Sequence, residues 1–177
     1  MVVLVPGRAG VLRASLLRAM SLGELTQVAD SIVVGNVVSV SAAWDPRHRR
    51  ILSTIEVDVE ESWKGSWSSN RRIVIVQPGG SVGEMEMTVG GMPSFSVGEK
   101  SLLFLQGQRP CRVVGMAQGK RTLVWNAPRE QWLAEAPDGD DVVEVGPGAK
   151  LRQVKHLGPV SLSDLHDQVV RALGNRP

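Results

Sequence analysis

Residues 51–63 alternate with a period of two, and that stretch constrains the chain more than any other. Ile51, Ser53, Ile55, Val57, Val59, Glu61 and Trp63 fall on one side, and Leu52, Thr54, Glu56, Asp58, Glu60 and Ser62 on the other. Successive side chains of a strand point to opposite faces, so the pattern predicts a half-buried strand. Just upstream, Ile32 to Val40 is apolar almost throughout, as befits a strand covered on both faces. A charged turn from Trp44 to Arg50 joins the two into a long hairpin. Gly35 sits in the first strand where a barrel needs a kink or a close backbone approach.

Around this hairpin the elements are short. Residues 1–20 read as a leader with a first short strand over 11–20. Ser21-Leu22-Gly23-Glu24 fits a capping box, opening a short helix to Ala29. Beyond Trp63-Lys64-Gly65, strands are predicted at Ile73–Val76, Glu84–Val89 (methionines and Val89 inward) and Leu102–Leu105. Arg112–Gln118 and Arg121–Trp125 are expected to form a hairpin about Gly119-Lys120. Residues 126–177 read as a C-terminal extension, with an acidic turn at 137–141, an extended piece at 142–145 and a loop at 146–148. A helix opens at Ser161–Asp164 and ends near Gly174.

The expected fold is mainly β: a five- or six-stranded OB-like antiparallel barrel over 21–125, with a short N-terminal helix and a C-terminal helix. Ile32, Val34, Val37, Ile55, Val57, Val59, Ile75, Leu103 and Leu105 are its predicted inward residues. The 19 glycines and 10 prolines among 177 residues fit many short elements joined by turns.

Candidate chemistry is sparse. Cys111 is the only cysteine, which excludes an internal disulfide and a cysteine-based metal cluster and predicts a buried thiol. Glu56, Asp58 and Glu60 form a carboxylate row, expected to be the solvated outer face of a strand paired with Arg47, Arg49 and Arg50. A calcium site would instead gather its ligands on a folded loop. His48, His156 and His166 lack ligand spacing, and Ser94 lacks a nucleophile elbow. The glycine pairs at 79–80 and 90–91 lack the helix N-terminus that phosphate binding uses. No cofactor and no catalytic activity are expected. No apolar run reaches the roughly 18 residues of a membrane span.

Small barrels also bind single-stranded nucleic acid on exposed aromatics set in a basic groove. Trp44 with Arg47–Arg50, Trp67 with Arg71-Arg72, and Lys120-Arg121 with Trp125 are the pieces of such a groove. A net charge of only +2 disfavours it.

Ala29-Asp30-x-Ile32-Val33-x-Gly35-x-Val37, the Trp-bearing turn, Trp63-Lys64-Gly65, Phe95-x-Val97-Gly98-Glu99 and Leu102–Leu105 together resemble bacterial OB-type barrels akin to netrin-like and TIMP-like domains, over roughly residues 20–125. The resemblance implies an exported, secreted or envelope-located binding module with a protein partner such as a protease or an envelope protein. TIMP-type inhibition uses a processed N-terminal cysteine and disulfides, which a chain with Cys111 alone does not offer, so no inhibitory residue carries over. Arg8, Arg13 and Arg18 make residues 1–20 a poor secretory signal, and a native start upstream is the corresponding expectation. The binding face is expected on the loops of the barrel, at Trp44, Arg47, Arg49 and Arg50 and at Met92, Pro93 and Phe95.

Overall fold

Ser21 caps the first helix. Its hydroxyl accepts the Glu24 amide at 3.2 Å while the Glu24 carboxylate accepts the Ser21 amide at 2.8 Å, which satisfies two helix-end donors reciprocally. Helix α1 (Leu22–Val28) follows, and Lys64 closes its far end by donating to the carbonyls of Thr26, Gln27 and Ala29. The structure, a computed structural model, describes residues 19–69, 71–135, 143–145, 151–153 and 158–174. The leader and strand expected over 1–20 lie almost wholly outside the described residues. So do the 137–141 turn, the 146–148 loop and His156.

The predicted hairpin is the backbone of the fold. Strands β1 (Ser31–Trp44) and β2 (Ile51–Lys64) pair antiparallel from Ile32↔Lys64 to Trp44↔Ile51. Next come β3 (Arg72–Pro78), the small hairpin β4 (Gly80–Val82) and β5 (Met85–Met87), then β6 (Lys100–Gln106), β7 (Arg112–Val113), β8 (Lys120–Asn126) and β9 (Gln131–Ala134). A second small hairpin, β10 (Val143–Val145) with β11 (Leu151–Gln153), precedes β12 (Val160–Ser161) and helix α2 (Leu162–Gly174). Among the described residues the protein is therefore mainly β, with a large antiparallel sheet and two helices.

That sheet is not the closed five- or six-stranded barrel expected. It has eight strands in the open order β12-β9-β8-β6-β1-β2-β3, with β7 alongside β6. Among the described residues, the backbone hydrogen bonds across the gap between β3 and β7 run through Cys111. Its amide donates to Val74 O at 2.8 Å and its carbonyl accepts the Val76 amide at 3.1 Å, as an isolated parallel bridge. Residues on both sides of position 125 share the one sheet, because β9 pairs with β8 and β12 with β9.

Two cores lie on opposite faces of the central strands. Ile32, Val34, Leu102 and Phe104 join Leu25, Leu123, Leu165 and Val169 beneath the two helices. Val33, Val37, Ile55, Val57, Val59, Ile73, Ile75, Leu103, Leu105 and Cys111 fill the concave side, where the sheet curls toward the Cys111 bridge. All nine predicted inward residues are buried, but Ile32 and Val34 face the helices rather than the concave core. Both faces of β1 are covered, so alternate residues enter different cores. Full burial of one such apolar side chain contributes about 1.5–3 kcal/mol.

Other departures have local causes. The register slips past Glu60 and again past Trp63, so the alternation of β2 changes phase and Trp63 packs on the helix-side core. Met85 is 59% exposed rather than inward, because β4 and β5 pair only with each other in a separate two-stranded sheet. Residues 112–125 are not a hairpin: β7 and β8 each pair with β6 at different places, with a 3-10 turn at Met116–Gly119 between them.

Candidate functional site

The β1–β2 turn is held from inside by one carboxylate. Asp45, buried at 8% exposure, accepts the amides of Arg49 at 2.7 Å and Arg50 at 3.4 Å. Backbone bonds from Asp45 N to Arg50 O and from His48 N to Asp45 O, both 2.8 Å, complete the loop, and His48 turns the chain at φ +50°. The Arg49 amide, and then the Arg50 amide and the two guanidinium charges, hold the Asp45 carboxyl below its ordinary pKa against the opposing effect of desolvation. Arg47, Arg49 and Arg50 are all exposed on the outside of this turn. Arg50 Nε lies 3.7 Å from Asp45, while the Arg47 and Arg49 guanidiniums make no hydrogen bond or ion pair among the described residues. Trp44 is half-buried at the root of the turn, its ring centroid 6.3 Å from that of His48.

The second expected loop turns the other way. Pro93 is buried and its carbonyl accepts Gln77 Nε2 at 2.8 Å. Phe95 packs on the concave core, with Lys120 Nζ 5.0 Å from its ring centroid. Met92 is half-buried, and the neighbouring Gly91 carbonyl accepts the Ala117 amide at 2.8 Å. Behind Phe95, Lys120 and Glu99 form an ion pair at 2.7 Å, and Ser101 Oγ donates to the same carboxylate at 2.5 Å. Pro93 and Gly91 thus tie this segment to Gln77 and Ala117, and Phe95 seals one end of the concave core. Of the expected binding residues, Arg47, Arg49 and Arg50 are the ones that are exposed.

The carboxylate row also finds other partners than expected. Arg72 donates to both Asp58 oxygens and to Glu56, and Lys100 pairs with Glu60, which also accepts from Asn36. Hydrogen bonding to Arg72 lowers the Asp58 pKa, and hydrogen bonding to Lys100 and then to Asn36 lowers that of Glu60. Beside this row Trp125, expected only as a piece of a nucleic-acid groove with Lys120 and Arg121, is paired with Trp132, which no sequence pattern singled out. Trp125, 48% exposed, meets Trp132 edge-on at 5.4 Å, and Lys100 Nζ lies 4.6 Å from the Trp132 centroid. Pairing of β8 with β9 brings these two rings together; the only signal is a tryptophan on each side of the short Asn126–Gln131 connection.

Of the basic residues expected in a nucleic-acid groove, Lys120 is buried in its ion pair. Arg121 donates to the carbonyls of Gln118 and Lys120, and burial lowers its pKa. His166 packs edge-on against Trp63 at 4.9 Å. Among the described residues, no group of histidine, cysteine, aspartate and glutamate is arranged to hold a metal ion, and no helix is long and apolar enough to cross a membrane. Comparison of the chain with protein-family models, with curated proteins and with solved structures finds no match.

Proposed function

We propose that this protein is a non-catalytic binding module, exported in its native setting, that recognises an acidic surface of a protein partner through the Trp44–Arg50 turn. The observation that carries the reading is the buried Asp45, which fixes the backbone of the turn from which Arg47, Arg49 and Arg50 are displayed, so that ordering the loop adds no further cost. Trp44 at the root adds apolar area of the kind that anchors interfaces. An OB-type fold akin to the netrin-like and TIMP-like domains is part of the proposal. Its support is the antiparallel run β3-β2-β1-β6-β7, which lies over one apolar interior with Cys111 bridging to Ile75 of β3. An envelope protein or a protease remains the kind of partner this resemblance implies.

The test is partner capture from the envelope and culture fractions of the host, with wild-type protein and an R47E/R49E/R50E variant of equal thermal stability. A protein retained by the wild type and lost by the variant is the expected result. Equal capture by both would overturn the assignment of the turn. Intact mass of the endogenous protein in the same fractions tests export, which a chain confined to the cytoplasm would refute.

A single-strand nucleic-acid binder of the same fold is the second reading. The exposed Trp125, edge-on to the Trp132 ring that Lys100 covers, favours it, and the neighbouring row Glu56, Asp58 and Glu60 opposes it by repelling phosphates. Salt-sensitive quenching of tryptophan fluorescence by oligonucleotides would favour this reading over the first.

A further inference from the structure

Phe95 seals one end of the concave core; the other end opens into a cleft of about 340 Å³. Four chain segments meet there: the start of β1, the turn after β2, the residue before β3 and the loop after β6. Trp67 packs on the concave core and lines the cleft. Ser31 lines it too, only 3% exposed, and its hydroxyl has no hydrogen-bond partner. A buried hydroxyl in that state is rare.

The backbone around the cleft is fixed. The Gly107 amide donates to Asp30 at 2.8 Å, and Cys111 Sγ donates to the carbonyls of Gly107 and Gln108. Arg71 is tied at both backbone ends, its amide to Ser68 O and its carbonyl to the Val59 amide. The cations, by contrast, are unspent. Neither the Arg71 nor the Arg109 guanidinium makes a hydrogen bond or ion pair among the described residues.

We propose that this cleft binds a small organic monocarboxylate with a flat apolar body. Arg71 and Arg109 hold the carboxylate, and Trp67 covers the body. Guanidinium matches carboxylate in a planar, two-bond geometry. Two arginines against Asp30 leave the lining with one net positive charge, which suits a monoanion and leaves a phosphate dianion uncompensated. The inference is independent of the Trp44–Arg50 turn, which lies at the opposite end of β1.

Titration of the ¹⁵N-labelled full chain with benzoate, benzamide and phenyl phosphate tests it, read on the Trp67 indole N–H and the amides of Ser31 and Arg71. Benzoate is expected to give saturable shifts at these three positions, with benzamide at least about tenfold weaker, as is benzoate on an R71Q/R109Q variant. Equal affinity for benzoate and benzamide would overturn the proposal, as would binding that survives R71Q/R109Q. No saturable shift up to tens of millimolar, or tighter binding of phenyl phosphate than of benzoate, would overturn it too.

Discussion

Asp45 and Lys120 are both charged and both almost fully covered, and each organises a loop from beneath. Lys120 is satisfied by Glu99, Thr122 and the face of Phe95, so its charge serves to pin residues 95–99 over the core. Asp45 instead faces the backbone amides of the turn it holds, which ties the display of three arginines to one ionisation. Its pKa is depressed in the folded protein, so its stabilising effect is complete above the ordinary carboxyl value of 3.8. That effect is lost as the pH falls through the lower folded value. Trp44 fluorescence, six residues or fewer from every atom of the turn, is expected to change with pH in that acid range. An Asp45→Asn variant should show no such change, and identical pH profiles for the two proteins would remove Asp45 from this role.

At the scale of elements, the hairpin is specified by its close approaches as much as by its apolar pattern. A Cβ added to Gly35 would lie 2.5 Å from Asp58 O and 2.8 Å from Val57 Cγ1. The obstacle is partly backbone of the neighbouring strand and cannot swing away. Gly35→Ala is therefore expected to destabilise the protein by about 2 kcal/mol or more, measured by urea unfolding; a neutral effect would show that β1 and β2 separate freely there. The need for glycine at this position was legible in the sequence, as were both long strands and the buried run Leu102–Leu105. The phase change of β2 was not. Two β-bulges at Glu60 and Trp63 depend on what lies opposite them, and a count of period two along one strand carries no such information. The same limit hid the inward turn of Pro93 and Phe95, which look like exposed loop residues until β3 and β8 supply their neighbours. Arg72 and Lys100 as partners of the carboxylate row likewise come from strands distant in sequence, whereas the nearer Arg47 and Arg49 are carried away by the length of the hairpin.

For the molecule as a whole, β1 and β6 form a wall with one core on each side, and each core is sealed differently. Helices α1 and α2 cover one side, joined by Gln27 Nε2 to the Ala172 carbonyl at 2.6 Å. The other side depends on the curl of the sheet, and that curl is fastened at a single residue. A fastening of two hydrogen bonds can slip while the long ladders hold, so the molecule carries a built-in latch. Cys111 is also a clock for that latch. Cys111 is fully buried, and burial also pushes its thiol pKa up, so alkylation is expected to be slow until the seam parts. Alkylation by iodoacetamide under native conditions is expected to report an opening free energy smaller than that of global unfolding. Equality of the two would mean that the sheet comes undone only all at once; the smaller value would make this protein a scroll that unrolls from one edge while its helix-covered half stays wound.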